Sequence, residues 1–513
     1  MPTIRPTPAA ALLVASSVVA ASVAGILVDR AGGTPPLTPA AAALVIALCF
    51  WWRAPEGLVA FGVFALLAET IEHWTVVDLL LFDEIALVML AGVGIVRYWI
   101  PNGRLRIGVA ELALVVLALS AVASSVLNGV PFLTWTGGLV LLFKGIAFLY
   151  LVSWLRLGPA DAERIGVLLL IVTGAVAVFG LMEWIDPSAF QRALGLPPFE
   201  EVRGEVNVVK SIFLHPAQFG WLTAFGSLIL YARFLVRRSW WALPLAIALN
   251  LGTIVSGRRT PVLGALIGLV AGIAAQVRGS QGRDWSPGAL LRSWGPVVLG
   301  IAVLAIVTLP VMGGFYRTTV GSYIPPAEPM LSILSDEPDA ELISAIPPRT
   351  ALYVGAVAVA RDHVPLGAGL GRFGSHLSRA DYSPVYAEYG LDRIHLLGPD
   401  QPSAVTDTYW PMVLGETGLL GLLAALVFFG ALTMTVWRNA STAASPAVRV
   451  IALAALMIFV EGLVRSFTAS VFTAPPIAYF VLGAAGLSIS VRRSLEQSAD
   501  DPEPHGALPR PAR

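Results

Sequence analysis

Two kinds of side chain in this 513-residue sequence are equipped for polar chemistry. Guanidinium groups can grip an anion, and carboxylates or an imidazole can take a proton. Arg258 and Arg259 stand together in SGRRTP, residues 256–261. A guanidinium presents a planar fork of N–H donors that matches phosphate oxygens. Arg203, Arg349, Arg372 and Lys210 are further candidate anion ligands. Asp407, Glu416 and His395 are the candidate proton acceptors. Each has a plainer reading. The arginines can snorkel to lipid headgroups or sit in solvated turns. Asp407 suits the N-cap of the helix that follows it. Glu416 falls in an apolar run, where an unpaired charge is costly and an arginine partner would be structural. His395 has the setting of an exposed loop residue.

These residues must be positioned by membrane helices. The chain is 56% hydrophobic and 13% charged, with a mean hydropathy of +0.77. Soluble domains run nearer a quarter charged. Apolar runs of about 20 residues, the length that spans a bilayer core, recur along most of the sequence. We read spans at 10–28, 39–52, 57–71, 84–100, 108–128, 138–155, 163–184, 216–236, 240–256, 258–277, 293–313, 411–437, 449–467 and 475–491. The second and third are short enough to be interfacial or re-entrant, so the expectation is 12 to 14 helices in one membrane domain over 1–495. The first run resembles a signal peptide, but the spans that follow favour an uncleaved helix. The fold class expected is an all-α polytopic membrane protein. Cys49 is the only cysteine, so no internal disulfide is possible, and we read it as a packing residue.

Arginine placement sets an orientation. Numbering from an inward N-terminus, the inward loops carry Arg53, Arg97, Arg104, Arg106, Arg156, Arg164, Arg233, Arg237, Arg238, Arg278, Arg283, Arg292, Arg438 and Arg449. The outward short loops carry only Arg30, Arg258, Arg259 and Arg465. Both termini are therefore expected to be cytoplasmic. Two long segments fall outside: 185–215 and 314–410, the second too long for a mere connection. An acidic stretch (Asp336, Glu337, Asp339, Glu341) lies within it. The tail 496–513 is polar and Pro-rich, and expected to be disordered. Lys144 and a cluster of Glu69, Glu72, Asp78, Asp83 and Glu84 lie toward the outer side. The lysine reads as snorkelling or as an anion contact, the acids as interfacial or salt-bridged. Their spacing fits no metal loop.

Four outer segments stand out by residue type: VRGEVNVVKSIFLHPAQFGWL from Val202, SGRRTP, RTALYVGAVAVARDHVPLGAGLGRF from Arg349, and DTYWPMVLGETGLLG from Asp407. The 349–373 segment reads as a helix on or dipping into the outer face, followed by a glycine turn. GAGLGRF lacks the strand and the glycine spacing of a nucleotide fingerprint. In this order, and over roughly 200–440, the four segments resemble the O-antigen ligase and O-antigen polymerase family of bacterial envelope glycan enzymes. Arg203 precedes HPAQFG, Arg259 falls at the family's arginine, and Arg349 precedes PLGAGLGRF.

The resemblance implies transfer of a glycan from a polyprenyl-pyrophosphate carrier to a hydroxyl, outside the bacterial cytoplasmic membrane. It implies arginines on the pyrophosphate, a proton acceptor at the end of the large loop, and neither metal nor cofactor. The implied partners are the lipid-linked oligosaccharide donor, a glycan acceptor, the bilayer and other glycan-assembly proteins, with no role for nucleic acid. Family ligases carry a histidine eleven residues before the glycine of the ETGLLG-like segment. Here that position, counted back from Gly418, is Asp407, which favours the polymerase-like branch or a base of different type. A buried carboxylate can act as base when its pKa rises toward neutrality. His395, twelve residues upstream, is the alternative. A transporter or flippase of a lipid-linked or anionic solute would also use buried arginines and broken helices. A catalytically idle scaffold is a third reading.

Overall fold

A computed structural model describes residues 37–75, 77–79, 81–100, 107–199, 201–203, 206–279 and 346–500. The spans expected at 10–28 and 293–313, the acidic stretch at 336–341 and the tail beyond 500 lie outside the described residues. The described chain is an all-α polytopic membrane protein. Its helices are α1 (Leu37–Trp52), α2 (Ala54–Thr75), α3 (Phe82–Gly94), which runs into a π turn Ile95–Trp99, α4 (Val109–Leu127), α5 (Phe132–Trp154), α6 (Pro159–Ile185) and the short α7 (Pro187–Ala193). A two-residue hairpin follows, with Val202–Arg203 antiparallel to Val206–Asn207. Then come α8 (Pro216–Arg237), α9 (Ala242–Val255), α10 (Arg259–Gly279), α11 (Pro348–Asp362), α12 (His376–Ala380), α13 (Val385–Glu388), α14 (Trp410–Thr442), α15 (Pro446–Arg465) and α16 (Ile477–Asp500).

Among the described residues eight helices are long and apolar enough to cross a membrane: α2, α4, α5, α6, α8, α10, α14 and α15. Two expectations change. The third run, read as 57–71, is a 22-residue helix, because Glu69 and Glu72 near its end are satisfied rather than helix-ending. Glu72 accepts the Leu79 amide at 2.6 Å, and Glu69 accepts from Gln218 Nε2 at 3.2 Å. The tail expected to be disordered from Glu496 stays helical to Asp500, helped by an Arg492–Glu496 pair at 2.9 Å. Helix starts are marked by chemistry. Proline opens α6, α7, α8, α11 and α15, where its missing N–H costs nothing. Asp186, His215 and Ser445 cap α7, α8 and α15.

The loops expected to face inward do meet one another. Arg164 pairs with Glu56 at 3.0 Å and Arg237 with Glu163 at 2.7 Å. Arg492 donates to Thr442 Oγ1 at 2.9 Å, and Arg493 to the Ser153 carbonyl at 3.4 Å. Opposite this face, Lys144 is buried between Asp83 (2.8 Å) and Glu84 (2.7 Å). Tyr479 donates to Asp83 at 2.6 Å. Lys144 therefore neither snorkels nor stands open to an anion, and two of the acidic residues serve it as counterions. The α10–α15 seam is set by Gly264, Gly268 and Gly272, each packed against Met457 or Glu461 of α15. Small residues at this spacing let two helix backbones approach closely in lipid.

Residues 346–409 carry a small core of their own, built on Leu352, Phe373, Tyr386, Leu391 and Val405. The glycine turn 366–374 and the α14 break are one structure. Gly418 sits inside α14 at φ 72° and ψ −168°. Only a residue without Cβ fits there, since a Cβ would strike the backbone of Leu366. The amides of Ala368 and Gly369 bond the Gly415 and Glu416 carbonyls at 2.8 and 3.1 Å. Ser124 of α4 donates to the Gly367 and Glu416 carbonyls at 2.6 and 2.8 Å. The interruption in α14 is thereby satisfied by protein groups, as membrane depth requires.

Candidate functional site

Five chain segments meet at the end of the bundle away from the arginine-rich loops, and each contact follows from a local feature. The α9–α10 connection is a tight turn through Gly257 at φ 64°, which leaves Arg258 and Arg259 at the very start of α10. The Val209 amide bonds the Val255 carbonyl at 2.9 Å and ties the 201–211 segment to this turn. Glu201, at the base of the hairpin, then accepts from Arg258 Nη2 at 3.2 Å. The loop after α15 closes the other side. Thr468 donates to Thr260 Oγ1 at 3.0 Å, and Ser466 accepts the Tyr409 amide at 3.1 Å through its carbonyl and Trp410 Nε1 at 2.8 Å through its hydroxyl. Tyr353 of α11 donates to the Phe467 carbonyl at 2.9 Å.

Within this frame Arg349, second residue of α11, meets Asp407, three residues before α14. Both Nε (3.2 Å) and Nη2 (2.9 Å) donate to Asp407 Oδ2. Both side chains are about two-fifths exposed, at 40% and 37%, so the pair is open to an incoming solute. Burial pushes the Asp407 carboxyl above its ordinary value, against the opposing charges of Arg349 and Arg258. The charge of Arg258 is the smaller of these two effects, and its guanidinium pairs with Glu201. Arg259 is half-buried beside them. Arg203 lies on the first strand of the hairpin, two residues from Glu201.

Four other candidates are not gathered here. Glu416 is buried in α14, and its carboxylate accepts the Phe373 amide at 3.2 Å together with the Gly371 and Arg372 amides and the Ser375 hydroxyl. It is the anchor of the glycine turn, held by backbone donors rather than by the arginine expected. Arg372 lies in that turn and is half-buried. Lys210 is buried, donates from Nζ to the Pro197 carbonyl at 3.0 Å and faces the Phe199 ring at 5.1 Å. Burial lowers its pKa, with Glu183 pulling the other way. The Glu183 carboxylate in turn accepts the Lys210 and Ser211 amides at 2.8 and 2.6 Å, so this lysine clamps the 197–211 segment. His395 is exposed in the irregular stretch after α13.

Sequence reasoning missed Arg465, which closes α15 immediately before Ser466 and lies buried. The signal was present, since Arg465 is one of the few arginines in the short loops expected to face outward. It also missed Tyr353 and Trp410, which hold the α15–α16 loop to the site and carry no mark in the sequence that distinguishes them from other aromatics.

The fold and this cluster define a multi-pass α-helical membrane protein with an arginine–carboxylate site at one end of its bundle. No protein-family model matches the chain, and no curated protein matches its sequence.

Proposed function

We propose that the protein is a membrane glycosyltransferase that polymerises or ligates polyprenyl-pyrophosphate-linked glycan units for an exopolysaccharide or envelope glycan. The observation that carries the reading is the open Arg349–Asp407 pair, with the charge of Arg258 also felt by that carboxylate, at the bundle end away from the arginine-rich loops. In this reading the arginine-rich face is cytoplasmic, in accord with the usual bias of basic loops, and the site faces outward on a bacterial cytoplasmic membrane.

The chemistry asks for two things. Positive charge must stand where the diphosphate leaves with the electron pair of the broken glycosidic C–O bond. A base must take the proton of the acceptor hydroxyl as its oxygen bonds the same carbon. Arg258, Arg259 and Arg349 supply the first and Asp407 the second. The Arg349–Asp407 pair links the roles. A diphosphate draws Arg349 toward itself, and the carboxylate released from it becomes free to accept the proton. The test is turnover of a lipid-linked repeat unit by the purified protein in lipid. Arg349→Gln and Arg259→Ala are expected to lose donor binding and Asp407→Asn the chemical step. Near wild-type turnover by folded Arg259→Ala and Asp407→Asn would sink the assignment, and solute uptake into proteoliposomes without glycan product would replace it with transport.

A further inference from the structure

The outward end of α15 holds an ion pair of unusual geometry. Glu461 and Arg465 stand one helical turn apart and are buried, with side chains 0% and 7% exposed. Their nearest atoms, Arg465 Nη1 and Glu461 Oε1, are 3.6 Å apart, too far for a hydrogen bond. Both Glu461 carboxylate oxygens, and Arg465 Nε and Nη1, are buried with no hydrogen-bond partner. A buried polar atom left without a hydrogen bond is costly, and more so when it is charged. Four such atoms in one pair are therefore poorly explained as a device for stability.

The placement of the pair is specific. Glu461 packs its Cγ against Gly264, where an added Cβ would come within 2.8 Å. Gly264 lies five residues into α10 from Arg259, or about 7.5 Å down the helix axis at 1.5 Å per residue. Helical side chains lean toward their own N-terminus, so Arg465 reaches back toward Glu461, beneath the turn that carries Arg258, Arg259 and Thr260. The residues following Arg465 close over it: Ser466 holds Tyr409 and Trp410, and Thr468 holds Thr260. Two more buried polar atoms without a hydrogen-bond partner, Thr408 Oγ1 and Tyr409 Oη, belong to the segment that Ser466 grips. Buried unpaired donors thus concentrate under the site described above.

We infer that Arg465 is a further anion-binding residue of that site, a guanidinium poised on Glu461 from below that turns its unpaired N–H groups to the phosphate oxygens of a lipid-linked diphosphate. The inference rests on the proposed function and deepens it by adding a buried floor to the half-exposed Arg258 and Arg349. Glu461 is a positioning residue. It keeps a charged guanidinium tolerable in a low-dielectric seam while no ligand is bound, and its weak 3.6 Å geometry leaves the guanidinium free to change partner.

The test uses the full chain in lipid nanodiscs and geranylgeranyl diphosphate as the probe, read as binding affinity and as ligand-dependent thermal stabilisation. Geranylgeraniol, inorganic pyrophosphate and phosphatidylglycerol are the comparison ligands. Arg465→Gln is expected to weaken diphosphate binding roughly tenfold or more, the scale of one lost charge-assisted contact. Arg465→Lys should restore part of the loss. Glu461→Gln should tighten binding, because the guanidinium then lacks a competing anion. A purely structural pair predicts instead that Arg465→Gln and Glu461→Gln lower the melting temperature and leave affinity unchanged, which overturns the inference. Should Arg465→Gln fail to fold, Arg465→Lys and Glu461→Gln decide by the same affinities. If Arg349→Gln loses binding while the Arg465 variants do not, the inference alone fails. If the wild type binds the diphosphate no better than the alcohol, the functional reading fails with it. An Arg465-dependent response to phosphatidylglycerol equal to that for the diphosphate also overturns it, in favour of a headgroup site. The same response to inorganic pyrophosphate supports it and assigns recognition to the phosphates.

Discussion

Replacing Asp407 by asparagine separates the proposed base from the scaffold around it. The side chain keeps its shape, and its amide oxygen can still accept from Arg349. What is lost is a negative charge that takes two N–H donations at 3.2 and 2.9 Å on one oxygen. Because both partners are about two-fifths exposed, solvent screens the pair, and its contribution to stability is about 0–1 kcal/mol. A positioned base contributes about 10²–10⁴ in rate, which is roughly 3–5 kcal/mol of barrier. The two magnitudes decide the outcome. Asp407→Asn should melt within a few degrees of wild type and bind donor as well or better, since a competing anion is gone. It should lose most of kcat. The assay is initial-rate polymer formation from a purified lipid-linked repeat unit, with melting measured on the same preparation. A kcat close to wild type, or a loss of kcat that only tracks a loss of folded protein, refutes the reasoning.

The pH dependence follows with its sign. Burial raises the Asp407 carboxyl above its ordinary value, so kcat should rise with pH along a limb lying above the usual carboxylate range, and Asp407→Asn should abolish that limb. Stability runs the opposite way: the contribution of this group is complete below its unfolded pKa and is lost as pH rises through the raised folded value. Gly418→Ala forces a Cβ into the backbone of Leu366 at positive φ and should destabilise by about 1–3 kcal/mol or more, visible as a lower melting temperature and faster proteolysis around 365–375. Lys144→Ala leaves the half-buried Asp83 and Glu84 without their cation and should cost about 1–3 kcal/mol, whereas the added changes Asp83→Asn and Glu84→Gln should recover most of it. Failure of the triple variant to recover would show that the lysine does more than balance these charges.

Much of the architecture was legible because hydrocarbon thickness imposes one length on every span and lipid forbids unpaired backbone. Twelve of the fourteen runs read from hydropathy coincide with helices, and the other two lie outside the described residues. That the basic loops share one end of the bundle was legible for a similar reason, and there Arg164, Arg237, Arg492 and Arg493 find their partners. The short reading of 57–71 failed because Glu69 and Glu72 look like an end until Gln218 and the Leu79 amide are there to receive them.

The candidate site divides along the same line. Residue type alone determined that Arg258, Arg259, Arg349 and Asp407 could hold an anion and take a proton, since that depends only on fixed charge and donor geometry. It could not separate them from Glu416, Lys210, His395 and Arg372, which carry equivalent groups. Tertiary structure made that division, because a charged group's role depends on which partners reach it. Glu416 is occupied by the glycine-turn amides and Lys210 by Pro197 and Phe199, while the Arg349–Asp407 pair stays open beside Arg258. Arg465 shows the converse. In sequence it is an arginine at a helix end, and only the tertiary structure shows it buried beside Glu461, whose side chain packs against Gly264 of α10.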